Sequence, residues 1–160
     1  MNAIEEIAGG LCKILFPIED RIYFGNSESE IAVCTLSSMR LLNEITNSPL
    51  MLKVNIAGRL LSENKGIEML VRHVISNETI RIILLCGKDT AVHRPGHSLL
   101  CLHQNGIDKA GRIVGSKSPD PVTSLTYVEV ATFQNQIKII DRIGETDISN
   151  LKSEIAYKTQ

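Results

Sequence analysis

Short apolar runs of strand-forming residues alternate with segments of helical period along most of this chain, and that alternation leaves few folds open. The stretch Glu30-Ile31-Ala32-Val33-Cys34-Thr35-Leu36 is continuously apolar in its middle, as a strand covered on both faces must be. Ser37-Ser38 stands where it can cap a helix running to about Thr46, with Met39, Leu41, Leu42 and Ile45 on one side and Asn47-Ser48-Pro49 as the stop. Met51 to Ala57 reads as a second strand, ended by Gly58. Residues Gly66 to Asn77 place Ile67, Leu70, Val71, Val74 and Ile75 on one face of an amphipathic helix. Thr79 to Cys86 is a third strand, and a helix from about Gly96 to the Asn105-Gly106 stop buries Leu99, Leu100 and Leu102. Val128 to Gln136 follows as a helix, Ile137 to Ile143 as a strand and Ile148 to Tyr157 as a last helix.

Strand, helix, strand at this spacing requires crossover connections, so the fold expected is α/β, a mostly parallel sheet in three layers with helices on both faces. No repeat or linker divides the 160 residues, which read as one domain with a helical extension over residues 1–15. Ligands of such sheets bind beyond the carboxyl ends of the strands. The loops Thr35–Ser38, Gly58–Gly66, Gly87–Gly96 and Gly111–Ser118 are therefore expected to converge on one edge.

Charge and composition exclude several partners. Lys and Arg number 17 against 18 Asp and Glu, a net charge of −1 without a basic cluster, and three Phe, three Tyr and no Trp offer few stacking platforms. Nucleic acid is not the expected partner. The longest purely apolar run, Ile82 to Cys86, falls far short of the roughly 20 residues of a membrane span. Glu5 and Glu6 near the N-terminus do not fit a signal peptide, so a cytosolic, soluble chain is expected. Cys12, Cys34, Cys86 and Cys101 form no C-x-x-C pair and read as reduced structural residues.

The common phosphate motifs and the G-x-S-x-G nucleophile elbow are absent. The loop from Gly87 through Ser98 carries the most chemistry. His93 lies just beyond the strand ending at Cys86 and ahead of the restricted Pro95-Gly96 turn, where a neutral imidazole makes a good axial ligand for a transition metal. The plainer reading is a turn histidine facing solvent. A zinc site from His93, His97, Cys101 and His103 is opposed by Pro95, which breaks any helix carrying both His93 and His97. It is also opposed by the two-residue step from Cys101 to His103, which points them to different sides. His73 reads as a solvent-facing helix residue.

The stretches Glu63-Asn64-Lys65-Gly66-Ile67-Glu68 and Ile80-Arg81-Ile82-Ile83-Leu84-Leu85-Cys86-Gly87 resemble the corrinoid-binding A-subunit of tetrahydromethanopterin S-methyltransferase. So do Ser98 to Asp108 and Gly111 to Lys117. Phe16-Pro17-Ile18, Gly25 to Ser29, Ala32 to Leu36 and Phe133 through Asp141 carry the resemblance from about residue 16 to residue 143. It implies a Rossmann-like domain that binds cobalamin or a related cobamide, with a histidine as lower axial ligand of the cobalt. By alignment of Cys86-Gly87 and Gly96 that histidine is His93. The implied cofactor-binding set is His93 with Thr35, Leu36, Ser37, Gly58, Glu63, Asn64, Cys86, Gly87, Pro95, Gly96, Gly115 and Ser116.

The implied activity is that of a methyltransferase subunit of one-carbon metabolism in methanogenic archaea, with no catalytic residues of its own. It would carry a methyl group on cobalt between a methylated pterin, methyl-tetrahydromethanopterin, and a thiol, coenzyme M. Donor and acceptor would arrive through other, partly membrane-bound, subunits. Read from residue type alone, Gly58, Gly115 and Ser116 permit close approach to the corrin or serve ordinary turns. Thr35 and Ser37 bond the ligand or cap a helix, and Glu63 and Asn64 cap the 66–77 helix. Asp89 is the nearest acceptor for the second nitrogen of His93, or else a loop cap.

The chain departs from the family pattern at Val92, Pro95 and His97, where Gly, Thr and Gln are usual. Ala91 stands where the cobalamin motif D-x-H-x-x-G has its Asp. His97 is thus a rival ligand. Two other readings stay open: a binding module that kept the fold without the corrinoid, and a small zinc protein built on His93, His97 and Cys101. The family's C-terminal membrane anchor is not found in this sequence, which reads as a soluble relative or as the cytosolic part alone.

Overall fold

The computed structural model describes residues 21–158, and the expected helical extension over 1–15 lies outside the described residues. Its five strands are β1 (Ile22–Phe24), β2 (Ile31–Cys34), β3 (Ile56–Gly58), β4 (Ile82–Gly87) and β5 (Lys138–Ile143), in the order β1-β3-β2-β4-β5. β3, β2, β4 and β5 run parallel, and only β1 is antiparallel, on the edge against β3. The helices are α1 (Met39–Thr46), α2 (Lys65–Ile75), α3 (Pro95–Asn105), α4 (Tyr127–Gln136) and α5 (Ile148–Lys158). This is the three-layer Rossmann-like arrangement expected.

The alternation of side chains along each strand assigns the layers. Ala32 and Cys34 of β2 and Ile83 and Leu85 of β4 face one core with Ile67, Val71 and Val74 of α2, Leu99 and Leu102 of α3, and Phe133 of α4. Ile31, Val33, Leu84 and Cys86 face the other, closed by Leu41, Leu42 and Ile45 of α1 and by Leu151 and Ile155 of α5. The central strands are apolar on both sides because both sides are covered. Among the described residues no helix is long and apolar enough to cross a membrane.

Three local expectations are corrected. The strand expected over Met51 to Ala57 is only Ile56–Gly58, because Pro49–Lys53 winds as a 3-10 helix. Pro49 sits at its first turn, and the Ser48 hydroxyl accepts the Leu50 N–H, which commits the backbone before the apolar run can extend. β1 escapes the sequence reading, since three residues with mostly exposed side chains carry no period. Ser38 occupies the N-cap of α1 but does not cap it, as its hydroxyl accepts the Lys88 N–H at 2.9 Å. Met39, expected beside Leu41, Leu42 and Ile45, lies exposed.

Candidate functional site

The carboxyl ends of β2, β3 and β4 bring the expected loops together. The Ser37 hydroxyl donates to the Lys88 carbonyl at 2.6 Å, and the Thr35 hydroxyl to the Gly58 carbonyl at 3.4 Å. Thr35 and Ser37 therefore tie loops to one another and do not cap α1. Gly87, at φ +78°, lets the backbones close up: a Cβ there would lie 2.1 Å from the Thr35 carbonyl oxygen. Gly96 fits against the buried Leu36, whose methyl carbons would stand 3.0 Å from an added Cβ.

His93 projects from this junction. Its Nδ1 lies 3.0 and 3.1 Å from the two carboxylate oxygens of Glu63, whose side chain is 3% exposed against 45% for the imidazole. A carboxylate only accepts, so Nδ1 is the nitrogen that carries the proton. With the proton on Nδ1, Nε2 is the nitrogen left to bind a ligand, and it has no hydrogen-bond partner among the described residues. Glu63 also accepts the Asp120 N–H at 3.2 Å and is anchored by it. Sequence spacing favours Asp89 for this role. Asp89 instead caps α3, accepting the N–H groups of Gly96 at 3.0 Å and His97 at 2.9 Å. Glu63, 30 residues upstream of His93, reaches it only because β3 and β4 end on the same edge.

Backbone strain marks the same place. Arg94 has φ 42° and Leu36 φ 51°, left-handed values that cost a non-glycine residue about 1–2 kcal/mol each. Arg94 is the turn between His93 and Pro95, and its conformation starts α3 directly behind the imidazole. Asn64 caps α2 as expected, through a 2.6 Å bond from the Lys65 N–H, and its amide reaches Asp120. Glu63 is not a cap.

The segment following Gly115 is pinned beside the site. Glu68, buried on α2, accepts the Ser124 N–H at 2.7 Å, and Arg72 pairs with Glu129 at 2.8 Å. Burial pushes the Glu68 carboxyl up, but the Ser124 N–H and Lys65 outweigh it and hold it below its ordinary value. Arg72, with the Thr126 backbone, holds Glu129 down at about 2.

The remaining histidines are engaged elsewhere. His97 Nε2 lies 3.6 Å from the Cys101 thiol, and His103 Nε2 donates to the Ile137 carbonyl at 2.7 Å. His73, expected in solvent, is half-buried with its ring tilted against Phe24. Among the described residues no three His, Cys, Asp or Glu side chains are grouped to hold a metal ion, so His97 and Cys101 lack the further ligands zinc requires. Burial raises Cys34 to about 12 and pushes the Cys86 and Cys101 thiols up as well. Cys86 is fully buried in the core facing α1 and α5.

Comparison with known proteins agrees with the resemblance carried by the motifs. The family described as the A-subunit of tetrahydromethanopterin S-methyltransferase matches residues 16–160. The A-subunit of the "Putative methyltransferase Mtx" of Methanosarcina barkeri is 41% identical over 138 residues, covering 85% of this chain and 66% of its own. The tetrahydromethanopterin S-methyltransferase A-subunit of Methanosphaera stadtmanae is 36% identical over 143 residues, covering 88% of this chain and 55% of its own. The chain thus spans between about half and two thirds of the length of these relatives.

Proposed function

This chain belongs to the family of the tetrahydromethanopterin S-methyltransferase A-subunit, and from that premise we propose that it is a corrinoid-binding methyl carrier with His93 as the lower axial ligand of cobalt. The observation that carries the reading is the Glu63–His93 pair. A buried carboxylate fixes the ring and its tautomer through Nδ1 and leaves Nε2 without a hydrogen-bond partner among the described residues. Metal-ligating histidines are held in this way. His97, whose Nε2 faces a buried thiol, is the weaker candidate.

Around His93 the loops are locked to one another: Gly87 admits the Thr35 backbone and Gly96 the Leu36 side chain, while the Lys88 carbonyl holds the Ser37 hydroxyl and Asp120 holds the Asn64 amide. When bound, the corrinoid supplies a nucleophilic cobalt that takes up and gives away a methyl group. The chain's own part is to hold it and orient it through the imidazole of His93. The described cysteines are kept as neutral thiols by burial, so none is poised as the methyl acceptor. Partner subunits would then bring the methylated pterin and the acceptor thiol, methyl-tetrahydromethanopterin and coenzyme M in the family reading.

Gel filtration after incubation with hydroxocobalamin tests this reading. The expected result is co-elution of about one cobalt per chain. A protein that emerges colourless and cobalt-free contradicts it and leaves a module that kept the fold for another binding task.

A further inference from the structure

We propose that Ser98, Ser116 and Ser118 form a positioning relay that fixes His93 through its main-chain carbonyl. The inference rests on the carrier reading and extends it from the imidazole to the backbone that presents the imidazole. Ser118 Oγ donates to the His93 carbonyl at 2.5 Å. Having spent its one proton there, Ser118 accepts from Ser98, whose Oγ lies 2.5 Å away. Ser98 accepts in turn from Ser116 Oγ at 2.7 Å, and Ser116 accepts the Ser118 N–H at 3.2 Å. Each hydroxyl thus donates once and accepts once, and the chain has one direction, ending on His93.

Burial gives the relay its strength. Ser98 is 0% and Ser118 7% exposed, so water does not compete for these bonds, and removing one member leaves its neighbours without partners. The carbonyl they hold belongs to the peptide leading into Arg94, whose left-handed φ of 42° persists only where its surroundings enforce it. Asp89 enforces it from the helix side, by capping Gly96 and His97, and Ser118 from the other. His93 is therefore held at both ends, its ring by Glu63 and its backbone by Ser118. Neither Ser98 nor Ser118 hydrogen-bonds the imidazole. They act through the backbone, as positioning residues.

The test is electron paramagnetic resonance of cob(II)alamin bound to the full chain labelled with 15N-histidine. An axial 15N from the protein splits the cobalt lines into doublets, whereas the cofactor's own 14N base gives triplets. For Ser118→Ala, at a temperature well below its thermal midpoint, the ratio of histidine-ligated to unligated cobalt is expected to fall about tenfold, while corrinoid still co-elutes. Ser116→Ala, at a half-buried position further along the chain, is expected to fall by a smaller factor. It decides on the same readout where Ser118→Ala does not fold. Unchanged ratios in the variants overturn the relay alone. A natural sequence that retains no corrinoid overturns the carrier reading and the relay with it.

Discussion

Replacing Glu63 by Ala is expected to lower histidine ligation of bound cobalt by about 10–100-fold, the cost usually incurred when a metal-bound histidine loses its outer partner. The same substitution is expected to destabilise the protein by about 2–3 kcal/mol. Both effects follow from one geometry. The carboxylate is 3% exposed and accepts from two donors, His93 Nδ1 and the Asp120 N–H, and Ala leaves both without a partner beside a new cavity. The released imidazole can rotate and exchange tautomers, so Nε2 is no longer held toward a ligand. Glu63→Gln separates the two effects. Its amide oxygen can still accept from Nδ1, so stability should drop less, and ligation should fall by under about tenfold. Urea unfolding reads the first effect and the fraction of 15N-coupled cobalt the second. Glu63→Ala with unchanged ligation would show that the carboxylate does not orient the ligand.

Gly87→Ala is expected to cost on the order of 3–4 kcal/mol, the sum of left-handed strain and forced displacement of backbone. A Cβ at Gly87 would lie 2.1 Å from the Thr35 carbonyl oxygen and 2.9 Å from Ser38 Oγ at φ +78°. The oxygen is main chain and does not swing aside, so the Thr35–Ser38 loop must move away from the loop that carries His93. Gly144 supplies the control: its φ is +96°, but nothing lies within 4 Å of an added Cβ. Gly144→Ala should therefore cost only the strain, about 1–2 kcal/mol. In thermal unfolding the first substitution should lower the midpoint by roughly 6–15 °C and the second by a third to a half as much. Equal shifts would mean that the loops can separate at no cost.

The helices and central strands were legible because each carries its own period: Ile67, Val71 and Val74 repeat on one face of α2, and the unbroken run from Ile82 to Cys86 declares a strand buried on both sides. β1 and the 3-10 helix were not, for opposite reasons. β1 is too short to show a pattern, and the apolar residues Leu50, Met51 and Leu52 were overruled by a local cap and proline. The convergence of the loops after β2, β3 and β4 was legible from topology, since parallel strands put their carboxyl ends together, whereas Gly111–Ser118 follows α3 and is brought in by the bonds of Ser116 and Ser118.

Within the site the resemblance pointed to both His93 and Glu63, but not to their contact. Proximity in sequence favoured Asp89, which is taken up by the start of α3. Of the three serines only Ser116 stood out, in the binding set that the resemblance implied, while Ser98 within α3 and Ser118 carried no signal. Nothing in residue type distinguishes a hydroxyl in solvent from one 2.5 Å from a main-chain carbonyl.

The most direct test of cobalt ligation by His93 is the resonance spectrum of cob(II)alamin bound to the 15N-histidine-labelled natural sequence and to labelled His93→Ala. Doublet splitting is predicted in the natural sequence and its loss in His93→Ala, with corrinoid retained by both. Doublets that persist in His93→Ala would transfer the ligand to another histidine, His97 first among them, and would contradict the Glu63–His93 pair as the group that presents the axial nitrogen.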